Sequence, residues 1–238
     1  MDVVVFDIDG CITSGKGCVT SSLLLAALSD EVLSKEKIYT LCTGRSAPYV
    51  EAIAQVIGID QWCVCENGAY LYHPKTDEII YNPLIKSEAL AALLLLNQLF
   101  RQEQYRNVCK IELGKEVCIS LNPLNISVEA LFEMVAKESD PNLLYVNHSA
   151  SAVDITPKGV DKGTGLKLLA QIVGFNLSDV LAVGDSSGDL PFMKLSGKTA
   201  CPANASDVVK MIADYISPYP TTEGVVDILR HDCDNAIK

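Results

Sequence analysis

The chain has 238 residues, of which 49% are hydrophobic, so it can form a substantial core and is too apolar to be disordered. Its formal net charge of −11 argues against nucleic acid and anionic membranes as partners, because both are polyanions. The longest apolar run, 89–96, is too short to span a bilayer, and the first residues do not have the pattern of a secretory signal. We therefore expect a cytoplasmic protein.

Nine cysteines are many for this length, but their number is odd and their spacing irregular, which argues against a disulfide framework. Cys63 and Cys65 are close enough in sequence to suggest a metal or redox pair. Their apolar neighbours Trp62 and Val64 indicate a buried strand instead, and no second Cys or His pair has matching spacing. Reduced, buried thiols are the favoured interpretation, with a metal site as the alternative.

The first part of the chain alternates strand and helix patterns. Strands are predicted at 3–6, 37–42 and 62–65, with a helix capped at 20–22 and a second helix at 46–57 between them. A turn at 66–68 leads to a predicted hairpin of strands 69–72 and 79–81. Strands that alternate with helices indicate βαβ units and a parallel sheet.

The pattern changes near Asn82. Helices are predicted at 86–101 and 127–138, and short strands at 108–113, 116–121, 143–147 and 152–155. Alternation resumes after Pro157 with helices at 163–173, from 190, at 207–212 and at 223–231, and with strands at 180–183, 199–201 and 215–216. We therefore predict an α/β fold, a Rossmann-like doubly wound parallel sheet formed by 1–81 and 157–238, interrupted at 82–156 by an α+β cap.

Four polar signals lie at the ends of predicted core strands or at the start of a core helix. In chain order they are Asp7 with Asp9, Thr43-Gly44-Arg45, Lys162, and Gly184-Asp185 with Asp189. Each alone is more typical of a solvated turn, a helix cap or a surface residue. Their joint occurrence in a parallel αβ pattern predicts one site at the carboxyl edge of the sheet.

The chemistry of these residues suits a phosphate group and a cation. Two carboxylates placed side by side, Asp7 and Asp9, are costly unless they share a cation or a proton. A hydroxyl, an unhindered backbone amide and a guanidinium suit phosphoryl oxygens, and Thr43-Gly44-Arg45 supplies all three. Asp185 and Asp189 add the oxygen ligands that Mg²⁺ prefers.

At this point the chain resembles the haloacid dehalogenase-like phosphohydrolases, because the four signals occur in the order of that superfamily. An insert between the Thr-Gly-Arg signal and the lysine is similar to the large α/β cap of subclass IIB. Glu66-Asn67-Gly68 and the segment 200–205 most resemble archaeal-type phosphoglycolate phosphatases, whose relatives include sucrose-phosphate and other sugar-phosphate phosphatases.

The resemblance implies a role for each residue. Asp7 would be the nucleophile that forms an aspartyl-phosphate, and Asp9 would be the general acid and base. The phosphate would be bound by Thr43, Gly44, Arg45 and Lys162. Mg²⁺ would be bound by Asp7, Asp9 (through its backbone carbonyl) and Asp185, with Asp189 either a further ligand or a residue that holds the ligands in place. The implied substrate is a small phosphate ester, with 2-phosphoglycolate the best single candidate, and the protein would be a monomer or a homodimer.

Three alternatives remain open. The first is a sugar-phosphate or sucrose-phosphate phosphatase of the same subclass, and the second is a phosphomutase. The third is a weakly active, metal-binding regulatory protein, because Cys11 and Gly188 stand where many relatives carry Thr and Asn. Specificity is expected from the insert, whose candidates are Arg106, Lys110, Lys115, Asn147 and His148; for His148 a plain surface role is favoured.

Overall fold

The computed structural model describes residues 2–15, 18–34, 37–149 and 151–236, with side chains to residue 232. Strands and helices alternate in the first part of the chain, as the sequence predicts. In chain order these elements are β1 (Val3–Phe6), α1 (Ser22–Leu33), β2 (Ile38–Leu41), α2 (Ala47–Ile57), β3 (Cys63–Cys65), β4 (Tyr70–Tyr72) and β5 (Ile79–Tyr81). Glu66–Gly68 forms a single 3₁₀ turn between β3 and β4.

The second part is an insert with its own small sheet. Its elements are α3 (Ser87–Phe100), β6 (Cys109–Ile111), β7 (Ile119–Pro123), α4 (Val128–Glu138), β8 (Leu144–His148) and β9 (Val153–Pro157). The four strands form an antiparallel sheet in the order β6-β7-β9-β8, and both helices pack against it. These elements fall within or next to 82–156; those boundaries stay a prediction.

The chain then returns to the first sheet. The remaining elements are α5 (Lys162–Val173), β10 (Val180–Val183), α6 (Leu190–Met193), β11 (Lys198–Cys201), α7 (Asp207–Lys210), β12 (Tyr215–Ile216) and α8 (Thr221–Ala236). The resulting five-stranded sheet is parallel throughout and has the order β12-β11-β10-β1-β2. The predicted doubly wound α/β core is confirmed.

Strand β1 lies at the centre of the parallel sheet and is buried on both faces. Val4 and Phe6 join one apolar cluster, which includes side chains of α1, α2 and α8. Val3 and Val5 join a second cluster on the opposite face, with side chains of α5, α6 and α7. Burial on both faces explains why the strand is a continuous apolar run and does not alternate. Across the described ranges, no helix combines the length and the apolar character that crossing a membrane requires.

Strand β3 does not join the parallel sheet, although the alternation of strands and helices predicts that it does. It pairs in antiparallel fashion with β4, which pairs with β5. A single parallel bridge between Cys42 and Val64 connects this three-stranded sheet to the edge of β2. The turn after β3 reverses the chain at once, so no helix follows to carry β3 into a further parallel crossover.

The two strands predicted around Gly114-Lys115 are shorter than expected. The segment between β6 and β7, residues 112–118 (the docking loop), leaves the insert sheet and reaches the core. The backbone N–H groups of Glu116, Val117 and Cys118 donate hydrogen bonds to the carboxylate of Glu66 at 2.7, 2.9 and 2.8 Å. Because these groups bind a core side chain, they do not extend β7 toward its N-terminus.

Candidate active site

The candidate active site lies where β1, β2 and β10 end. Asp7 follows β1, Thr43 follows the end of β2, and Asp185 follows β10. These strands are adjacent and parallel, so the residues that follow them meet at the carboxyl edge of the sheet. Lys162 reaches the same place from the first residue of α5. The structure therefore brings together the four predicted signals.

Lys162 is a buried cation held between two carboxylates. Its Nζ lies 2.8 Å from Oδ1 of Asp7 and 2.6 Å from Oδ1 of Asp189. Burial alone lowers the pKa of Lys162, but the negative charges of Asp189 and Asp7 outweigh it and raise the pKa well above its ordinary value. Lys162 is thus a permanent positive charge beside the predicted nucleophile.

Asp189 is wholly buried and organises the loop that follows β10. While its Oδ1 binds Lys162, its Oδ2 accepts hydrogen bonds from the backbone N–H groups of Asp185 and Ser186, both at 2.9 Å. The hydroxyl of Ser186 donates to the same oxygen at 3.1 Å. Asp189 therefore fixes Asp185 in place besides adding its own charge to the site.

The residues at this edge fit a divalent cation. Asp7, Asp185 and Asp189 each place one carboxylate oxygen so that all three lie within 4.8 Å of one another. Burial raises the pKa of Asp7, and burial followed by the charge of Asp189 raises the pKa of Asp185 to about 7. Oδ1 of Asp185 is buried with no hydrogen-bond partner among the described residues. A hard cation such as Mg²⁺ would supply the partner that this oxygen lacks.

Gly10 makes room for this cluster. Its φ is +85°, in the left-handed region, and a Cβ built on it would lie 2.3 Å from Oδ2 of Asp185. A side chain at this position would strain the backbone and displace the carboxylate. The glycine in Asp7-Ile8-Asp9-Gly10 is therefore required by the approach of the loop after β10 to the loop after β1.

Asp9 does not point into the carboxylate cluster. Its two oxygens accept hydrogen bonds from Nε and Nη2 of Arg45 at 2.6 and 2.7 Å, a bidentate ion pair. The guanidinium also contacts Oε1 of Glu112 at 3.4 Å and lies over the ring of Tyr49, 4.6 Å from its centroid. The sequence predicts that the Arg45 guanidinium binds phosphate, but in this structure its contacts are with protein side chains. Phosphate binding by Arg45 stays a prediction.

Thr43 and Gly44 form the floor of the site beside Asp7. Thr43 is buried, and its hydroxyl oxygen accepts a hydrogen bond from the N–H of Arg45 at 3.1 Å. The carbonyl of Gly44 accepts a hydrogen bond from Nζ of Lys115 at 2.7 Å. The docking loop therefore braces the chain segment that was predicted to bind phosphate.

A cavity of about 910 Å³ lies between this edge of the sheet and the insert. The core lines it with Asp7, Asp9, Thr43, Gly44, Lys162 and Asp185 among others. The insert contributes Tyr145, Asn147, His148, Ser149, Asp154 and Thr156. Apart from the Asp154 carboxylate, this insert wall is formed by hydroxyl, amide and imidazole side chains that can form hydrogen bonds.

Only some of the predicted insert residues line the cavity. Asn147 and His148 do, and the His148 ring also packs edge-on against Phe132. Lys115 instead binds the core, and Arg106 forms an exposed ion pair with Glu103. Lys110 is exposed and is not part of the cavity wall.

Sequence reasoning missed several residues at the site. Glu112 binds Arg45, Tyr145 lines the insert wall, and Asn204 donates a hydrogen bond from Nδ2 to the carbonyl of Gly10 at 2.9 Å. Asn204 follows the strand β11, so its position after a strand end was an available signal. No sequence signal marks Glu112 or Tyr145.

Both departures from the motif, Cys11 and Gly188, lie beside the carboxylate cluster. Cys11 is buried, and burial together with the nearby carboxylates raises the pKa of its thiol. A Cβ at Gly188 would meet only Oγ of Ser186, at an ordinary 3.5 Å. The position thus has room for a side chain, and its glycine is not required by space.

The eight cysteines whose side chains are described are free thiols. Burial raises the pKa of Cys63 to about 11, and it also raises the pKa of Cys65. A raised pKa opposes the thiolate form that binds metals. Within the described ranges the only candidate metal cluster is that of Asp7, Asp185 and Asp189, which favours the interpretation of Cys63 and Cys65 as buried thiols.

Comparisons with known proteins identify the family of this chain. A family model described as haloacid dehalogenase-like hydrolase matches residues 4–112 and 110–229. Phosphoglycolate phosphatases of Thermoplasma volcanium and Methanothermobacter thermautotrophicus are 26% and 28% identical, over 96% and 97% of this chain and 97% and 98% of their own. The solved structure of a subclass IIB sugar phosphatase superposes with a TM-score of 0.72 at 20% identity, covering 97% of this chain and 98% of its own. The chain belongs to the haloacid dehalogenase-like hydrolase family.

Proposed function

We propose that this protein is a Mg²⁺-dependent phosphomonoesterase that hydrolyses a small phosphorylated metabolite. The observation that carries the proposal is the buried contact between Asp7 and Lys162 inside a cluster of three carboxylates. A carboxylate nucleophile and a phosphate ester repel each other. The chemistry therefore needs positive charge at the point of attack, and this site provides or can hold it.

The proposed reaction has two steps. A carboxylate oxygen of Asp7 attacks phosphorus and the bond to the leaving oxygen breaks, while Asp9, protonated on an oxygen released from Arg45, gives that proton to the departing alcohol. Asp9 then removes a proton from water, which attacks the aspartyl-phosphate, releases inorganic phosphate and regenerates Asp7. Lys162, the hydroxyl of Thr43 and the N–H of Gly44 would bind the phosphoryl oxygens.

Mg²⁺ would be held by Asp7, Asp185 and Asp189, with the backbone carbonyl of Asp9 as the further ligand that the family resemblance implies. When bound, the ion would neutralise charge between the nucleophile and the phosphate. For Asp9 to act, its carboxylate must face the leaving oxygen, and Arg45 is the group that sets its orientation in this structure.

2-Phosphoglycolate is the first candidate substrate. The support is that archaeal relatives aligned over nearly the whole chain are named phosphoglycolate phosphatases, at 26% and 28% identity. Its carboxylate would need a cation in the cavity wall, and Lys158 is the residue of suitable charge there besides Lys162.

A sugar phosphate is the second candidate, and the cavity favours it. A volume of about 910 Å³ is in the range that accommodates ligands far larger than phosphoglycolate. Tyr145, Asn147 and His148 offer hydrogen bonds suited to hydroxyl groups.

Phosphate release from a panel of esters tests the proposal. Purified protein with Mg²⁺ would be offered 2-phosphoglycolate, several sugar phosphates and nucleotides, with Asp7→Asn as the matched control. We expect release that EDTA abolishes and that Asp7→Asn lacks. Release from sugar phosphates alone would select the second candidate, and phosphate transfer to a second sugar without release would identify a phosphomutase. Release no greater than that of the Asp7→Asn variant on every substrate would exclude a phosphatase.

A further inference from the structure

Glu66 is a buried carboxylate that the proposed reaction does not use. It is fully buried, and its backbone has a φ of +45°, followed by +56° at Asn67. Two successive residues other than glycine in the left-handed region are costly, and they persist only where surrounding contacts hold them. Contacts of Glu66 therefore hold this backbone conformation in place.

The Glu66 side chain binds the docking loop through both of its oxygens. Oε1 accepts the N–H of Glu116, and Oε2 accepts the N–H groups of Val117 and Cys118. The hydroxyl of Tyr70 donates a further hydrogen bond to Oε1 at 3.2 Å. Both oxygens accept hydrogen bonds, and the side chain is seated in a concave row of backbone donors.

Glu66 also contacts the chain segment on the other side of the site. Its backbone N–H donates to the carbonyl of Arg45 at 3.0 Å. The docking loop contributes Glu112, whose carboxylate lies 3.4 Å from Nη1 of Arg45, and Lys115, which binds the carbonyl of Gly44. One residue thus anchors both partners of the Arg45–Glu112 ion pair.

We propose that Glu66 is a positioning residue for Asp9. It fixes the docking loop against the core, the loop places Glu112 beside Arg45, and Arg45 orients Asp9 through one oxygen while the other oxygen carries the proton to the leaving group. This inference rests on the proposed function, in which Asp9 protonates the leaving alcohol. The side chain of Asp9 is one-third exposed, so the Arg45 contact supplies an orientation that packing alone does not.

The dependence of the rate on the leaving group tests this role. An alkyl phosphate needs a proton on its leaving oxygen, whereas p-nitrophenyl phosphate releases a stable anion and does not. The parameter kcat/KM includes formation of the aspartyl-phosphate but not its later hydrolysis, so it isolates the step that needs the acid. The alkyl substrate would be 2-phosphoglycolate, or glucose 6-phosphate if that is the ester the protein cleaves.

We expect Glu66→Gln and Glu112→Gln to lower kcat/KM for the alkyl ester at least about tenfold more than for p-nitrophenyl phosphate, because general acid catalysis contributes about 10²–10⁴-fold. Glu103→Gln is the matched control, since Glu103 is an exposed carboxylate of the insert that pairs only with Arg106 among the described contacts. The ratio of its kcat/KM for the alkyl ester to its kcat/KM for p-nitrophenyl phosphate should equal that of the wild type.

Thermal unfolding of each variant separates positioning from a merely structural role. A lower Tm with an unchanged ratio in both Glu66→Gln and Glu112→Gln would overturn the inference. If Glu66→Gln does not fold, Glu112→Gln decides alone, because Glu112 is partly exposed and its substitution leaves the contacts of Glu66 with the docking loop in place. A wild type that cleaves no ester of the panel would refute the proposed function itself and the inference with it.

Discussion

At the scale of single residues, the carboxylate cluster of the site has more negative charge than its one lysine can neutralise. Lys162 contacts both Asp7 and Asp189, whereas Asp185 has an oxygen that is buried without a donor among the described residues. The uncompensated negative charge raises the pKa of Asp185. Either a proton or a metal ion bound to the carboxylate would neutralise this charge. Protons and Mg²⁺ should therefore compete for Asp185.

This competition predicts how pH changes the stabilisation by Mg²⁺. Burial raises the pKa of Asp185 to about 7, whereas the pKa of an Asp in the unfolded chain is ~3.9. At pH values between these two pKa values, Asp185 is protonated in the folded protein and ionised in the unfolded chain. The free energy of unfolding of the metal-free protein therefore falls as pH rises through this interval. Mg²⁺ needs the ionised carboxylate, and we expect it to raise Tm more at about pH 8 than at about pH 6.

The control for this experiment is Asp185→Asn, which removes the charge and keeps the shape of the side chain. The variant should lose most of the Tm increase at both pH values. Equal increases at both pH values in the wild type would show that protons and metal do not share this carboxylate.

Gly10→Ala should damage the site through both space and backbone strain. The added Cβ would lie 2.3 Å from the Asp185 carboxylate at a φ of +85°. We expect a loss of about 1–3 kcal/mol in the free energy of unfolding, together with loss of the Tm increase on adding Mg²⁺. Gly174→Ala is the matched control: its φ is +86°, but nothing lies within 4 Å of the new Cβ. It should cost only the strain of the left-handed backbone and keep the response to Mg²⁺, and a normal response in Gly10→Ala would contradict the crowding argument.

At the scale of elements, α5 carries Lys162 at its first residue, so the cap of this helix and the site are linked. Asp161 accepts a hydrogen bond from the N–H of Thr164 at 2.8 Å, and the hydroxyl of Thr164 accepts one from the N–H of Asp161 at 3.0 Å. This reciprocal pair is a capping box, which fixes the first turn of a helix. The position of the lysine therefore depends on a local sequence feature.

Asp161→Ala should lower the free energy of unfolding by about 1 kcal/mol and also lower kcat/KM, because the first turn that holds Lys162 frays. Asp161→Asn keeps the cap without the charge and should behave as the wild type in chemical denaturation. Ser127→Ala removes the equivalent cap of α4, where the hydroxyl accepts the N–H of Ala130 at 3.2 Å, and should cost stability without affecting turnover. Similar activity losses in the Asp161→Ala and Ser127→Ala variants would show that the effect is global.

Local patterns of this kind are what made much of the fold and site predictable. The apolar run of β1 and the carboxylates after it belong to one short stretch, so periodicity and turn chemistry identify them together. The docking loop has no such signature. Its backbone N–H groups bind Glu66, which lies 50 residues before Glu116 in the chain. Its Glu112 contacts Arg45 only once the chain has folded. The pairing of Arg45 with Asp9 could not be predicted for the same reason, since the motif offers the guanidinium equally to a phosphate.

At the scale of the whole molecule, charge opposes the proposed chemistry. The chain has 30 acidic and 19 basic residues, and the cavity itself is acidic. Its lining contains the carboxylates of Asp7, Asp9, Asp154, Asp161 and Asp185 but the ammonium groups of only Lys158 and Lys162. A phosphate ester therefore approaches against a repulsive long-range field and is attracted only at close range by the buried lysine and a bound cation.

Ionic strength separates the long-range field from the short-range contacts. Raising KCl from about 10 mM to about 150 mM shortens the Debye length from about 30 Å to about 8 Å, which screens the net charge but affects the buried Lys162 contacts much less. We expect kcat/KM for an anionic ester to rise over this range at saturating Mg²⁺, measured against a neutral osmolyte as control. A steep fall in kcat/KM with added KCl would contradict this prediction. It would mean that a local positive field near the cavity attracts the substrate more strongly than the net charge repels it.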